Sequence, residues 1–216
     1  TVGALGTVGP IQAQEKRKNG RKATPRRPYN GPYSGETLSR VAFPLGGMGA
    51  GMLCLEGTGA LSHVSLRHRP DIFHEPCVFA AVCLKGEPNL ARVLEGPVPG
   101  WKRFGLKDSG NGAGGMTWGL PRFGRASFLA RFPFGTISLE DDTLPLRVEI
   151  TGWSPFEAGD PDASSLPFAA LEYRLTNPSA RTLTGVFSFN ARNFMAVEKA
   201  DRAVRDPVTA NFHSLI

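Results

Sequence analysis

RVEIT, Arg147–Thr151, and LEYRLT, Leu171–Thr176, are the two stretches from which the fold is read. In the first, Val148 and Ile150 share one face and Arg147, Glu149 and Thr151 the other; in the second, Leu171, Tyr173 and Leu175 oppose Glu172, Arg174 and Thr176. A period of two sends one row toward a core and the other toward water, as in a half-buried antiparallel sheet. Outward from these, runs at 39–45, 51–55, 77–84, 90–94, 126–132, 136–139, 146–153, 169–176 and 183–190 read as further strands, punctuated by Gly, Pro, Asn and Asp. No segment has a helical period, and 26 glycines and 18 prolines would interrupt one. The expectation is an all-β antiparallel sandwich over an aromatic-rich core drawn from 14 phenylalanines, with Trp153 in that core beside Ile150 and Phe156.

The 216 residues, 41% hydrophobic and 20% charged, suit one large domain. The net charge of +6 sits in one place. Lys16, Arg17, Lys18, Arg21, Lys22, Arg26 and Arg27 face only Glu15, so the remaining 18 basic and 18 acidic residues leave the body neutral. That removes the electrostatic case for nucleic-acid binding by the folded body. Residues 1–28 are expected as a disordered lead-in and 29–216 as the domain. TVGALGTVGPIQAQ, residues 1–14, resembles the back half of a secretory signal, which leaves export and a cytoplasmic location both open. No run is long and apolar enough to span a membrane.

Ahead of these strands lies FPLGGMGAG, Phe43–Gly51, and the run MLCLEGTGALSHVSLRHRPDIFHEP that follows it, Met52–Pro76. Four glycines in six positions, Gly46, Gly47, Gly49 and Gly51, flanked by Leu45 and Met52, mark backbone that needs positive φ or close approach in an apolar setting. Just beyond, His63, His68 and His74 crowd with Arg67, Arg69, Asp71 and Glu75. Their spacings fit no common metal-ligand pattern, so no metal and no cofactor is assigned. A density of donors beside a rigid turn suits a domain interface or the rim of a sugar site, for which His63, Arg67, Arg69 and Asp71 are the candidates. Trp101 and Trp118, in loop-like sequence, are candidates for stacking on a pyranose ring.

Other features have plainer readings. The Gly-rich segment 107–124 lacks the Lys and following helix of a phosphate-cradling loop and reads as a long surface loop pinned by Met116, Trp118 and Phe123. The pairs Asp160/Asp162 and Asp141/Asp142 fit turn chemistry, and Glu36, Glu75 and Glu149 show no partner. Cys54, Cys77 and Cys83 read as small buried side chains; a pairing of Cys54 with Cys77 or Cys83 across strands stays open.

Taken in order, FPLGGMGAGMLCLEGTGALSHVSLRHRPDIF, VLEGPVPGWKRFG, GLPRFGRASFLARFPFGTISLEDD, LPLRVEITGWSPFEAGDPDASSLPFAALEYRLTNPSA and GVFSFNARNFM resemble the N-terminal domain of glycosyl-hydrolase family 116, the family of non-lysosomal glucosylceramidase and bacterial β-glucosidases. The likeness spans 39–195, and 197–216 match less well. It implies a supersandwich-like domain, incomplete without a C-terminal (α/α)6 catalytic barrel as its partner. It also implies retaining hydrolysis of β-glucosides in the parent enzyme by two carboxyl groups. Both lie in that barrel, so no catalytic residue is carried onto this chain. A stand-alone carbohydrate-binding sandwich or a structural remnant is the alternative.

Overall fold

The computed structural model describes residues 27–66, 69–71, 75–86, 88–100, 102, 117–192 and 210–215, the last as backbone. Strands dominate it: β1 (Tyr33–Ser34), β2 (Ala42–Leu45), β3 (Met52–Glu56), β4 (Leu61–Ser65), β5 (Val78–Leu84), β6 (Leu90–Val93), β7 (Arg125–Arg131), β8 (Phe134–Glu140), β9 (Arg147–Trp153), β10 (Ala170–Thr176), β11 (Gly185–Ala191) and β12 (Ala210–Leu215). They form three antiparallel sheets, ordered β1-β7-β8-β9-β10, β12-β11-β5-β6 and β2-β3-β4. The all-β sandwich-like class expected from alternation is the observed one.

The two alternating stretches pair with each other. β9 and β10 lie in register with Ile150 opposite Tyr173 and Val148 opposite Leu175, so the apolar rows coincide on one face. Val148 and Ile150 join Ile137 and Leu139 of β8 in the core, with Ala80, Val82 and Leu84 of β5 from the second sheet. Tyr173 closes the seam between these sheets, its ring 5.5 Å from Phe187 of β11. The third sheet approaches more tightly. A Cβ on Gly152 would stand 2.6 Å from the Leu55 side chain, so only glycine lets β3 come this close to β9.

Four expectations are corrected. The first run, 39–45, is not one strand, because Ser39 and Arg40 close a 3-10 helix, Gly35–Arg40, before β2 begins. The Thr37 hydroxyl secures the start of that helix, accepting from the Ser34 N–H at 2.9 Å and donating to the Ser34 carbonyl at 2.7 Å. The core is chiefly aliphatic; among the described phenylalanines only Phe123 and Phe128 are fully buried, whereas Phe132, Phe134, Phe156 and Phe168 are exposed. Trp153 is half-buried outside the core, since it lies three residues from Ile150 on a strand and so takes the other face, where its ring meets Phe168 at 5.8 Å. Finally, Glu75 does have a partner, the ammonium of Lys102.

All three cysteines are free thiols: Cys54 is buried, Cys77 and Cys83 half-buried. Cys77 has φ +49 and stands just outside β5, the strand that holds Cys83. Of the lead-in only Arg27 and Pro28 are described, and the Arg27 guanidinium lies 4.0 Å over the Tyr33 ring.

Candidate functional site

The glycine loop joins β2 to β3 and forms one wall of an open cleft. Gly46, Gly49 and Gly51 have φ of +138, +74 and +99, conformations that side chains with a Cβ rarely adopt. The loop is also held from outside: the Gly46 N–H donates to Ser154 Oγ at 2.9 Å and the Met48 N–H to the Ser164 carbonyl at 2.9 Å. Ser164, completely buried in the helical turn Pro161–Ser164, accepts from the Glu157 N–H through its hydroxyl at 2.9 Å. Asp160 caps that turn, accepting from the Ala163 N–H at 2.9 Å.

The cleft measures about 640 Å³ and is lined by Met48, Met52, Arg69, Pro70, Phe132 and Pro155 among others. Its rim continues as an apolar face. Phe132, 62% exposed, meets Phe156 edge-on with centroids 4.8 Å apart, and Met48, Leu166 and Phe168 are exposed around it. Arg69 is the charged residue among the described residues of the cleft wall, and the Asp71 N–H donates to Ser65 Oγ of that wall at 3.0 Å.

The other candidates stand elsewhere. His63 has φ +53 and a buried Nδ1 without a hydrogen-bond partner, and lines a second hollow of about 150 Å³ with Leu38, Arg40, Glu56 and Pro99. Trp118 is half-buried in the turn Thr117–Leu120. Arg122 fastens that turn by donating to Thr117 Oγ1 at 2.6 Å and to the Leu120 carbonyl at 3.2 Å. Arg67, Trp101, His68 and His74 lie outside the described residues. The structure thus groups Arg69 and Asp71 at the glycine cleft, and places His63 and Trp118 in separate surroundings. Among the described residues no three His, Cys, Asp or Glu side chains converge to hold a metal ion.

One charged cluster escaped the sequence reading. Lys102 Nζ donates to both oxygens of Glu56, at 2.7 and 2.8 Å, and also pairs with Glu75. Beside them Arg122 pairs with Glu95 at 3.1 Å. Burial alone would lower the Lys102 pKa, but Glu56 and Glu75 more than reverse it, so the ammonium is held charged. Burial pushes the Glu95 carboxyl up to about 7, against the opposing pull of Arg122 and with the help of Glu56 and Glu75. A raised carboxyl close to a second carboxyl is an arrangement that acid and base chemistry in glycoside cleavage can use. Here Glu56 spends both oxygens on Lys102, and Glu95 lines neither hollow, so the cluster acts as an internal joint. A signal for it was present, since Leu55-Glu56-Gly57 and Leu94-Glu95-Gly96 repeat one tripeptide in which Glu stands between a core leucine and a glycine.

The carboxylate pairs are otherwise engaged. Asp160 is a cap, Asp141 accepts from Arg92 Nε at 3.2 Å, and Asp142 receives Arg125 through both oxygens at 2.7 Å each. No helix among the described residues is long and apolar enough to cross a membrane.

No curated protein matches the chain significantly. The family model described as "beta-glucosidase 2, glycosyl-hydrolase family 116 N-term" matches residues 42–214, a span that takes in the glycine loop, the joint and β12. It also reaches through most of 197–216, the stretch expected to fit less well. The chain therefore belongs to glycosyl-hydrolase family 116, in its N-terminal domain.

Proposed function

We propose that this chain is the non-catalytic sandwich of a β-glucosidase or glucosylceramidase, and that it seats and shapes a C-terminal (α/α)6 barrel carrying the two catalytic carboxyl groups. The observation that supports this is the apolar face around the glycine cleft. Met48, Phe132, Phe134, Phe156, Leu166 and Phe168 are all more than 40% exposed, more bulky apolar surface in one region than a stand-alone domain ordinarily leaves to water. Obligate partners bury surfaces of this kind. A glycine loop fixed by Ser154 and Ser164 gives such a face a rigid shape, and rigidity limits the entropy lost on docking.

The test compares three preparations on an aryl β-glucoside: this chain, the catalytic region, and the two expressed together. The expected result is turnover only where the catalytic region is present, and enhanced by the sandwich. Turnover by the chain alone that a β-glucosidase inhibitor abolishes, or full activity of the catalytic region without it, overturns the proposal.

A further inference from the structure

Among the described residues the joint brings together three carboxyl groups, Glu56, Glu75 and Glu95, and two cations, Lys102 and Arg122, and none of these side chains is more than 19% exposed. With all five ionised, these groups would carry one negative charge in excess in a poorly solvated place, which burial penalises strongly. A proton relieves it. Glu56 is the worst place for that proton, because Lys102 occupies both of its oxygens. Glu75 shares the same ammonium and is the most exposed of the three. Glu95 has Arg122 as its ion-pair partner and stands in the field of Glu56 and Glu75.

The place of Glu95 in the backbone gives this proton a structural consequence. Its own carbonyl accepts from the Phe123 N–H at 3.1 Å, on the segment leading into β7. Leu94 before it donates to the Ala80 carbonyl of β5 at 2.8 Å, and Gly96 after it donates to the Thr58 carbonyl of the β3–β4 turn at 2.7 Å. Three consecutive residues therefore tie three sheets together, with the carboxyl in the middle.

We infer that the joint is a proton-linked latch, which holds one proton on Glu95 while the sheets are closed together and weakens their seam when that proton leaves.

Around Glu95 stand Arg122, Lys102, Glu56 and Glu75, with Tyr173 from β10 and Cys77 before β5 also coupled to it. Burial, helped by Glu95, pushes the Tyr173 phenol up, so it stays neutral. Burial raises the Cys77 thiol as well, with Arg192 pulling it down and Glu95 adding to the rise. The proton lost near neutrality is thus the joint's own, with a midpoint at about 7 in the fold against 4.5 for an unperturbed Glu. The sign follows: a carboxyl raised by folding stabilises the fold fully below pH 4.5, and that contribution is lost as pH rises to about 7.

Melting temperatures of the full chain and of Glu95→Gln, measured from about pH 5 to about pH 8.5, test this. Gln mimics the neutral acid and does not titrate, so the variant is expected to gain on the wild type by about 5 °C or more across that range. In parallel, the infrared difference between the two pH values should show a protonated-carboxyl band that Glu95→Gln lacks. Glu75→Gln, which removes a repelling charge at a more exposed site, should move the wild-type loss of stability to lower pH. It decides the matter if Glu95→Gln fails to fold. Parallel melting curves for wild type and Glu95→Gln, retention of the band in that variant, or an unshifted profile for Glu75→Gln would each overturn the latch.

Discussion

Gly47 lies directly against Leu166, so close that a Cβ on Gly47 would stand 2.2 Å from the Leu166 carbonyl oxygen and 2.6 Å from the Ser165 carbonyl carbon. The glycine loop and the segment after the helical turn are over a hundred residues apart in sequence and meet backbone to backbone. Only a residue without a side chain permits that approach.

Gly47→Ala should therefore destabilise the chain by about 1–3 kcal/mol, because rigid backbone rather than a movable side chain obstructs the new methyl. Gly49→Ala meets nothing within 4 Å but must hold φ +74, and should cost about 1 kcal/mol from conformation alone. Gly119→Ala, also in open space and without positive φ, should change little. Urea midpoints for the three variants check the ranking, and equal losses at positions 47 and 119 would contradict the contact.

This contrast also shows what the sequence discloses. Alternation in Arg147–Thr151 and Leu171–Thr176 reports which face of a strand is buried, because period two is a property of the strand itself. It predicted the sheet and located nine strand runs. It missed three: β4, whose LSHVS is bent by His63 at φ +53, β1, which is only two residues long, and β12 at 210–215. The glycine cluster announced tight backbone, whereas the identity of its neighbour is a tertiary fact that no local pattern holds. The same limit hid the joint, since Glu56 and Lys102 are 46 residues apart and each alone reads as a solvated charge. Trp153 differs for another reason: it is near Ile150 in sequence but not in space, because three residues along a strand reverse the face.

Lys102→Met removes the cation that two carboxylates share and should destabilise the chain by about 3–5 kcal/mol, since those charges would remain buried without compensation. Adding Glu56→Gln should recover part of that loss. A double-mutant cycle from denaturant unfolding measures the coupling, and strictly additive effects would mean that the 2.7 Å pair does not hold the joint.

Asp141 contributes to the acid limb. Burial would raise its pKa, but hydrogen bonds from the Thr143 hydroxyl and N–H, together with Arg92, lower it below the usual 3.8. A carboxyl depressed by folding contributes stability above its unfolded pKa and loses it as pH falls through the folded value. Asp141→Asn should thus be less stable than wild type at neutral pH, and the difference should shrink below about pH 4. Urea midpoints at neutral and acid pH test this; a difference independent of pH would remove Asp141 from the account.

Phe132 and Phe156 separate folding from assembly. Phe128 is 1% exposed in the core, and Phe128→Ala should cost about 3–5 kcal/mol. Phe132 and Phe156 are 62% and 45% exposed and pack edge-on against each other at the cleft rim, so Phe132→Ser with Phe156→Ser should cost this chain little more than about 1 kcal/mol. If the chain seats a catalytic domain as proposed, the same pair should behave as an anchor for it, because aromatic residues at the centre of an interface carry a large share of its binding energy. Two measurements decide it: the urea midpoint of this chain and the β-glucosidase activity of the full-length enzyme, each with and without the double substitution. A preserved midpoint with activity reduced tenfold or more places the catalytic domain on this face. A preserved midpoint with unchanged activity means that the barrel sits elsewhere and the exposed aromatics serve another contact.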